Sequence, residues 1–549
     1  MNTPSPVTLR AAIAGFVLAI LLCAVNSYLT LSFGVIEEGP TIAALLFFAV
    51  FYVSSVKITT TEMVVVATMG SAGGSLGFIS NFYAARAMVG APMGLWEAAS
   101  FAVVTSLLGL FFTVPLRDLL ILREDLPWPG SKATSSIIQA LVDAGDPKQA
   151  AWLFGTIAVL MAVVIGNDDG GYGWLPAESA LPLVGAFGAA VAWSPFAIGG
   201  AFLMGMRTCV GFLVAALVLM VMAPYTPTPE APNRYVWPGI GFLVATGLTQ
   251  LALNGKIVAA SLRSLGKLGQ GGDDDDPPMS GAVWLGLGAV SLVATLGWGF
   301  AAGLNLIVLG LLVAVGGLLQ NIIATRAAAQ TAFNPARVMG VLLQGVTAAA
   351  GGSAAATNLI GAGFVAGSGA QAGNLTGDLA YGRWLGVPSR WQFWLQATTV
   401  VPCALVSAWV FTQIAGDVPT TPDGEGLPSP VARMWAASAQ VFDGTVPMPP
   451  GAVQAMIVGA VVGAVYVLLE SMPAVEAWLP ASVGVGIGMV LPVSVDLAFF
   501  LGGVLFYVVL GRGLKVSELT LTTVAVGSII AEGFGGIAKP VLVMLGLLS

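Results

Sequence analysis

The chain has 549 residues, 57% hydrophobic and 9% charged, with a formal net charge of -7 and a mean hydropathy of +0.91. That leaves too little polar surface for a water-soluble globule of this size and indicates a membrane protein. The small, scattered charge argues against a nucleic-acid partner, and the absence of histidine removes His proton relays and the commonest zinc sites.

Apolar runs near the ~20 residues that a bilayer-crossing helix needs recur along the whole chain. They predict an all-α polytopic membrane protein of about 14 to 17 membrane segments, some of them re-entrant half-helices, in two related halves. The first apolar run, 11–25, reads as a retained helix rather than a cleaved signal, because further spans follow at once. Asn26 and Tyr28 close it, and Glu37 and Glu38 lie in the connection to a second span ending near Lys57. A Gly-dense segment, 70–77, follows close behind Glu62 and contains Ser71, Gly73 and Gly74.

Basic residues cluster at Arg10, at Arg117, Arg123 and Lys132, at Lys256, Arg263 and Lys267, at Arg383 and Arg390, and at Arg512 and Lys515. The segments 167–178, 223–233 and 413–450 between them are poor in Lys and Arg, so the positive-inside rule places the N-terminus in the cytoplasm and 413–450 outside. The expected location is the cell membrane, the inner one in a Gram-negative cell. Cys23, Cys209 and Cys403 are odd in number and lie in apolar stretches, which frames neither disulfides nor a metal site.

The segment 266–278, with four aspartates at 273–276, reads as a solvated linker between membrane halves 1–265 and 279–549. In the second half, Gln320, Asn321, Arg326 and Asn334 interrupt apolar sequence, and 338–373, like 131–144 earlier, fits either a full span or a half-helix. The organising stretch is 351–390. It is apolar yet carries Asn358, Gln371, Asn374 and Asp378, and the spacings 363/367, 369/373 and 373/377 place small residues four apart. Such a segment belongs in a closely packed centre, where glycine also permits a helix to break around a cavity.

A charged residue in the bilayer costs about 2.5 to 3.5 kcal/mol on insertion scales, so each one invites a functional reading. Glu62 and Asp378 stand beside the two Gly-dense segments and are expected to contact substrate or coupling ion. Arg207, Arg326 and Asp496 fit structural or snorkelling roles equally well, and Asn334-Pro335 is also a plain turn signal. No phosphate-binding loop occurs, which argues against ATP-driven transport by this chain. No cofactor or metal site is expected, and an enzyme is disfavoured because no nucleophile has a partner base. A secondary carrier is the first reading, and a channel or proton-conducting subunit the alternative. The expected partners are a peptide or other small molecule, protons and lipid, with self-association left open.

Several separated stretches resemble the oligopeptide transporter family, which includes the yellow-stripe-like metal-chelate carriers. Asn26-Ser27-Tyr28-Leu29 through Gly34 is similar to its N-x-Y-L-G-L-K-x-G start, and Glu62 followed by Ser71-Ala72-Gly73 to its E…SAG element. Val114-Pro115-Leu116-Arg117 and Leu126-Pro127-Trp128-Pro129 are similar to its V-P-L-R and L-P-Y-P loop. Arg326 with Asn334-Pro335, then Asp378-Leu379, Gly382, Gly386 and Pro388, follow its later elements in the same order. Ala380, Asn374 and Gly130 stand where the family pattern has a lysine, an acidic residue and a glutamate, and Ala336-Arg337 replaces its S-G-M. The resemblance implies proton-coupled uptake of peptides or peptide-like metal chelates. From this likeness together with the two Gly-dense stretches, Asn26, Tyr28, Glu62, Ser71, Gly73, Gly74, Arg326, Asn334, Gln371, Asn374 and Asp378 are the expected substrate or coupling-ion residues.

Overall fold

A computed structural model describes residues 7–34, 39–53, 57–144, 147–182, 185, 188–222, 236–264, 275–331, 335–445 and 448–548. Most of the linker 266–278 and Asn334 lie outside the described residues. In the first half come α1 (Leu9–Phe33), α2 (Gly39–Val53), α3 (Thr60–Phe78), α4 (Ser80–Met88), α5 (Leu95–Arg117), α6 (Pro129–Ala144) and α7 (Pro147–Gly166). A small antiparallel hairpin follows, β1 (Glu178–Ala180) with β2 (Ala190–Ala192), pairing Ser179 with Val191. Then come α8 (Pro195–Met204), α9 (Met206–Met222), α10 (Val236–Leu253) and α11 (Gly255–Ser264). The second half holds α12 (Gly281–Ala301), α13 (Leu306–Leu311), α14 (Gln320–Thr331), α15 (Ala336–Ala349), α16 (Ala355–Phe364), α17 (Ala370–Trp384), α18 (Ser389–Ile414) and α19 (Pro430–Asp443). It closes with α20 (Ala452–Glu470), α21 (Pro473–Glu476), α22 (Ser482–Gly488), α23 (Val493–Gly503) and α24 (Glu518–Met544).

Among the described residues, eleven helices are long and apolar enough to cross a membrane, and four shorter apolar helices accompany them. The polytopic all-α expectation therefore holds. The two halves of the sequence interleave in space: α1 and α3 pack on α18, α10 on α20, and α24 on α7 and α8. A helix of 14 residues such as α15 spans only about 21 Å, short of the ~30 Å hydrocarbon core, so the segment 338–373 is a short helix, a turn and the start of a long one. Segment 131–144 falls within α6, a helix of 16 residues.

The glycine stretches are not breaks. Helix α3 runs unbroken through 70–77, and α16 continues into α17 through π turns at Val365–Gly369. Their glycines serve contact instead. A Cβ at Gly73 would sit 2.3 Å from the Ala19 carbonyl oxygen of α1, and one at Gly367 would sit 1.9 Å from Thr105 Oγ1 of α5. Backbones that approach this closely exchange side-chain volume for dispersion contact, which is the main force holding helices together where lipid is as apolar as leucine.

Candidate functional site

Helix α3 starts with Thr59-Thr60-Thr61-Glu62, a capping-box sequence. The Thr59 hydroxyl accepts from the Glu62 backbone N–H at 3.3 Å, while the Glu62 carboxylate accepts from the Thr59 N–H at 3.0 Å. The same carboxylate receives Arg10 Nε at 2.7 Å, Arg10 Nη2 at 2.8 Å and the Thr8 hydroxyl. Glu62 is thus fully occupied at the junction of α1 and α3. Nine residues further along α3, about 13 Å of helix rise away, Ser71 faces Asp378 of α17.

Around Asp378 the structure gathers a polar group in an otherwise apolar interior. Tyr381, one turn beyond Asp378, also faces its carboxyl, and the Tyr381 hydroxyl lies 3.1 Å from Thr68 Oγ1 of α3. From α18, Gln392 Nε2 donates to Thr68 Oγ1 at 2.8 Å and to the Asp378 carbonyl oxygen at 2.8 Å. A glycine at 382 admits this amide, since a Cβ there would meet Gln392 Oε1 at 1.9 Å. Asp378 itself is 2% exposed, and its Oδ2 and Ser71 Oγ have no hydrogen-bond partner. Arg383 is exposed and forms no ion pair with Asp378.

Amides extend this group along the interior. Asn374 Nδ2 donates to Ser75 Oγ of α3 at 2.8 Å, and Asn321 Nδ2 of α14 donates to Ser368 Oγ at 2.8 Å. Gln371 lies against Gly109 of α5, and Gln320 of α14 against Gly369. Gln320, Gln371, Gln396 of α18 and Asn26 of α1 each bury both side-chain polar atoms without a partner. Leaving one such group unpaired costs about 1 to 3 kcal/mol. An interior holding so many of them is costly as a plain core and well equipped to recognise something polar.

The remaining expected residues separate from this centre. Asn26 packs against Gly77, whereas Tyr28 lies on Gly536 of α24. Gly73 is a contact point for α1, and Gly74 is buried in α3. Arg326, 2% exposed, makes a forked pair with Glu124 at 2.5 and 2.7 Å near the end of α14. Asn334 lies outside the described residues. Sequence reasoning missed Thr68, Tyr381, Gln392 and Gln396. Helical spacing carried the signal for two of them, because Thr68 is three residues before Ser71 and Tyr381 three after Asp378.

A sequence model of the family described as OPT oligopeptide transporter protein matches residues 6–543. No curated protein matches the chain. Its polar interior is enclosed by helices suited to crossing a bilayer, and the match covers nearly every residue. The chain belongs to the oligopeptide transporter family and is a membrane transporter.

Proposed function

We propose that the chain is a proton-coupled secondary carrier in the cell membrane, N-terminus in the cytoplasm, taking up oligopeptides or peptide-like metal chelates by alternating access. The observation that supports this reading is the amide-rich group around Asp378, enclosed by α3, α5, α14, α17 and α18. A peptide presents backbone N–H and C=O groups, and side-chain amides can donate to the one and accept from the other. Gln320, Gln371 and Gln396 have that capacity free. Asp378 is the carboxyl proposed to take the proton beside the substrate, because Glu62 is already committed to Arg10, Thr8 and Thr59. Alternating access then requires the α3–α17–α18 contacts to open toward each side in turn.

Purified protein in proteoliposomes, offered a panel of short peptides and metal chelates with and without an inward proton gradient, tests the reading. A carrier gives saturable uptake, counterflow exchange and accumulation that follows the gradient. Flux that neither saturates nor exchanges would indicate a channel instead.

A further inference from the structure

Asp496 stands apart from the centre just described. It lies in the first turn of α23, after the four-residue turn 489–492 that separates α22 from α23. The residue is 0% exposed, and both carboxyl oxygens are buried without a hydrogen-bond partner. Side chains at a helix start can accept from its free backbone N–H groups. The Asp496 carboxyl does not: α23 has Pro492 at its N-cap and no side-chain cap bond. The carboxyl instead points at Gly488, the last residue of α22, where an added Cβ would lie 3.0 Å from Oδ1, 3.2 Å from Oδ2 and 2.5 Å from Ala215 Cβ of α9.

Among the described residues, no charge answers it from the surrounding elements. Helices α8 and α22 and strand β2 contain no ionisable side chain. On α9, Arg207 is drawn to Glu470 and Glu476 at 3.3 and 3.4 Å, and the Cys209 thiol donates to the Ala201 carbonyl oxygen. Beyond α23, Tyr507 donates to the Phe202 carbonyl oxygen, and Arg512 is exposed. An isolated carboxylate in such a place costs several kcal/mol even after relaxation, and far more than a neutral acid. Among the described residues, no group of three His, Cys, Asp or Glu side chains surrounds it that could hold a metal ion.

We infer that Asp496 is a second proton-binding site: it holds a proton while the α22–α23 turn is closed over it and releases that proton when the turn opens. The inference rests on the proton-coupled carrier reading for its role in transport, and on the geometry alone for its occupancy. A mechanical route to the carrier's centre exists. Phe499, three residues along α23, stacks on Phe212 with centroids 4.4 Å apart and meets Phe33 and Phe196 edge-on at 6.2 and 5.9 Å. Phe33 is the last residue of α1, the helix that packs on α3 and α18. Ionising Asp496 would draw water toward the turn and disturb the seat of Phe499, and with it the end of α1.

Two measurements on the full-length protein decide the matter. The infrared difference between wild type and Asp496→Asn at neutral pH should contain the C=O stretch of a protonated carboxylic acid, shifted in heavy water. Carboxylate stretches in that difference, with no acid band, would overturn the inference whatever the transport result. Asp496→Asn is a near-isostere that cannot ionise, so it should keep peptide exchange while carrying one proton fewer per substrate than wild type. An unchanged proton-to-substrate ratio would overturn the transport role. A wild type that moves no protons with its substrate would instead defeat the proton-coupled reading, while the acid band would still report on Asp496.

Discussion

Arg10 and Glu62 form a two-pronged ion pair, with Nε 2.7 Å from Oε1 and Nη2 2.8 Å from Oε2, across the start of α1 and α3. Glu62 is 0% exposed, whereas the Arg10 side chain is 31% exposed. Such a pair locks two helices that also share a close glycine contact, at Gly73 and Ala19.

Replacing Glu62 by Gln keeps the capping-box geometry, since glutamine also serves at that position. It loses the charge-assisted bonds to Arg10, for an expected loss of about 1 to 3 kcal/mol. Thermal unfolding in detergent should show the drop, while gradient-driven uptake at permissive temperature persists. Complete loss of gradient coupling with unchanged stability would contradict this structural role and make Glu62 a proton carrier.

Gly73→Leu and Gly367→Leu should each lower folded yield, because even a Cβ would overlap the Ala19 carbonyl oxygen or the Thr105 hydroxyl. Overpacking of a well-filled core costs about 1 to 3 kcal/mol per site, and these contacts fall at the steep end. Gly94→Leu, with nothing within 4 Å of its added Cβ, is the matched control. Size-exclusion profiles of the three proteins make the comparison, and equal monodispersity would contradict the packing account.

The Arg326–Glu124 pair offers a test by double-mutant cycle. Removing Glu124 takes away the forked carboxylate partner of a guanidinium that is 2% exposed, so Glu124→Ala should destabilise by about 1 to 3 kcal/mol. The double variant Glu124→Ala/Arg326→Met should recover part of that loss. Additive losses would mean that the two residues act independently.

Much of this was legible in advance, and the failures have physical causes. The polytopic all-α class follows from composition, and burial of the centre of 351–390, at 355–382, follows from polar residues among small ones, whereas Gly351, Ser353, Ala354, Arg383, Trp384, Gly386 and Arg390 at its two ends are exposed. Helix continuity through the glycines was not legible, since glycine permits a break and a close approach equally and only the partner at Ala19 or Thr105 decides between them. The T-x-x-E signature at 59–62 was available in the sequence and identifies Glu62 as a helix cap. Its pairing with Arg10, 52 residues away, required the fold. Gln392 was beyond reach for the same reason, because nothing local links α18 to Thr68. The solitude of Asp496 is a statement about what is missing around it, and no sequence window contains that.

Topology is testable through exposed positions. Lys256 and Glu425 are exposed, and the three native cysteines are buried. Single cysteines at the two positions should react with an impermeant maleimide from opposite sides, Glu425→Cys from outside and Lys256→Cys only after the cytoplasmic face is opened. Labelling of both from the same side would contradict the orientation.

Asp378, set among Ser71, Tyr381 and the Gln392 amide, is the residue proposed to couple proton and substrate. The direct measurement is peptide uptake by Asp378→Asn in proteoliposomes with an inward proton gradient, alongside counterflow exchange without one. Asparagine keeps the shape of the neutral acid and cannot release a proton. If Asp378 carries the proton, accumulation falls to the gradient-free level while exchange continues. Accumulation equal to wild type would show that the proton travels elsewhere.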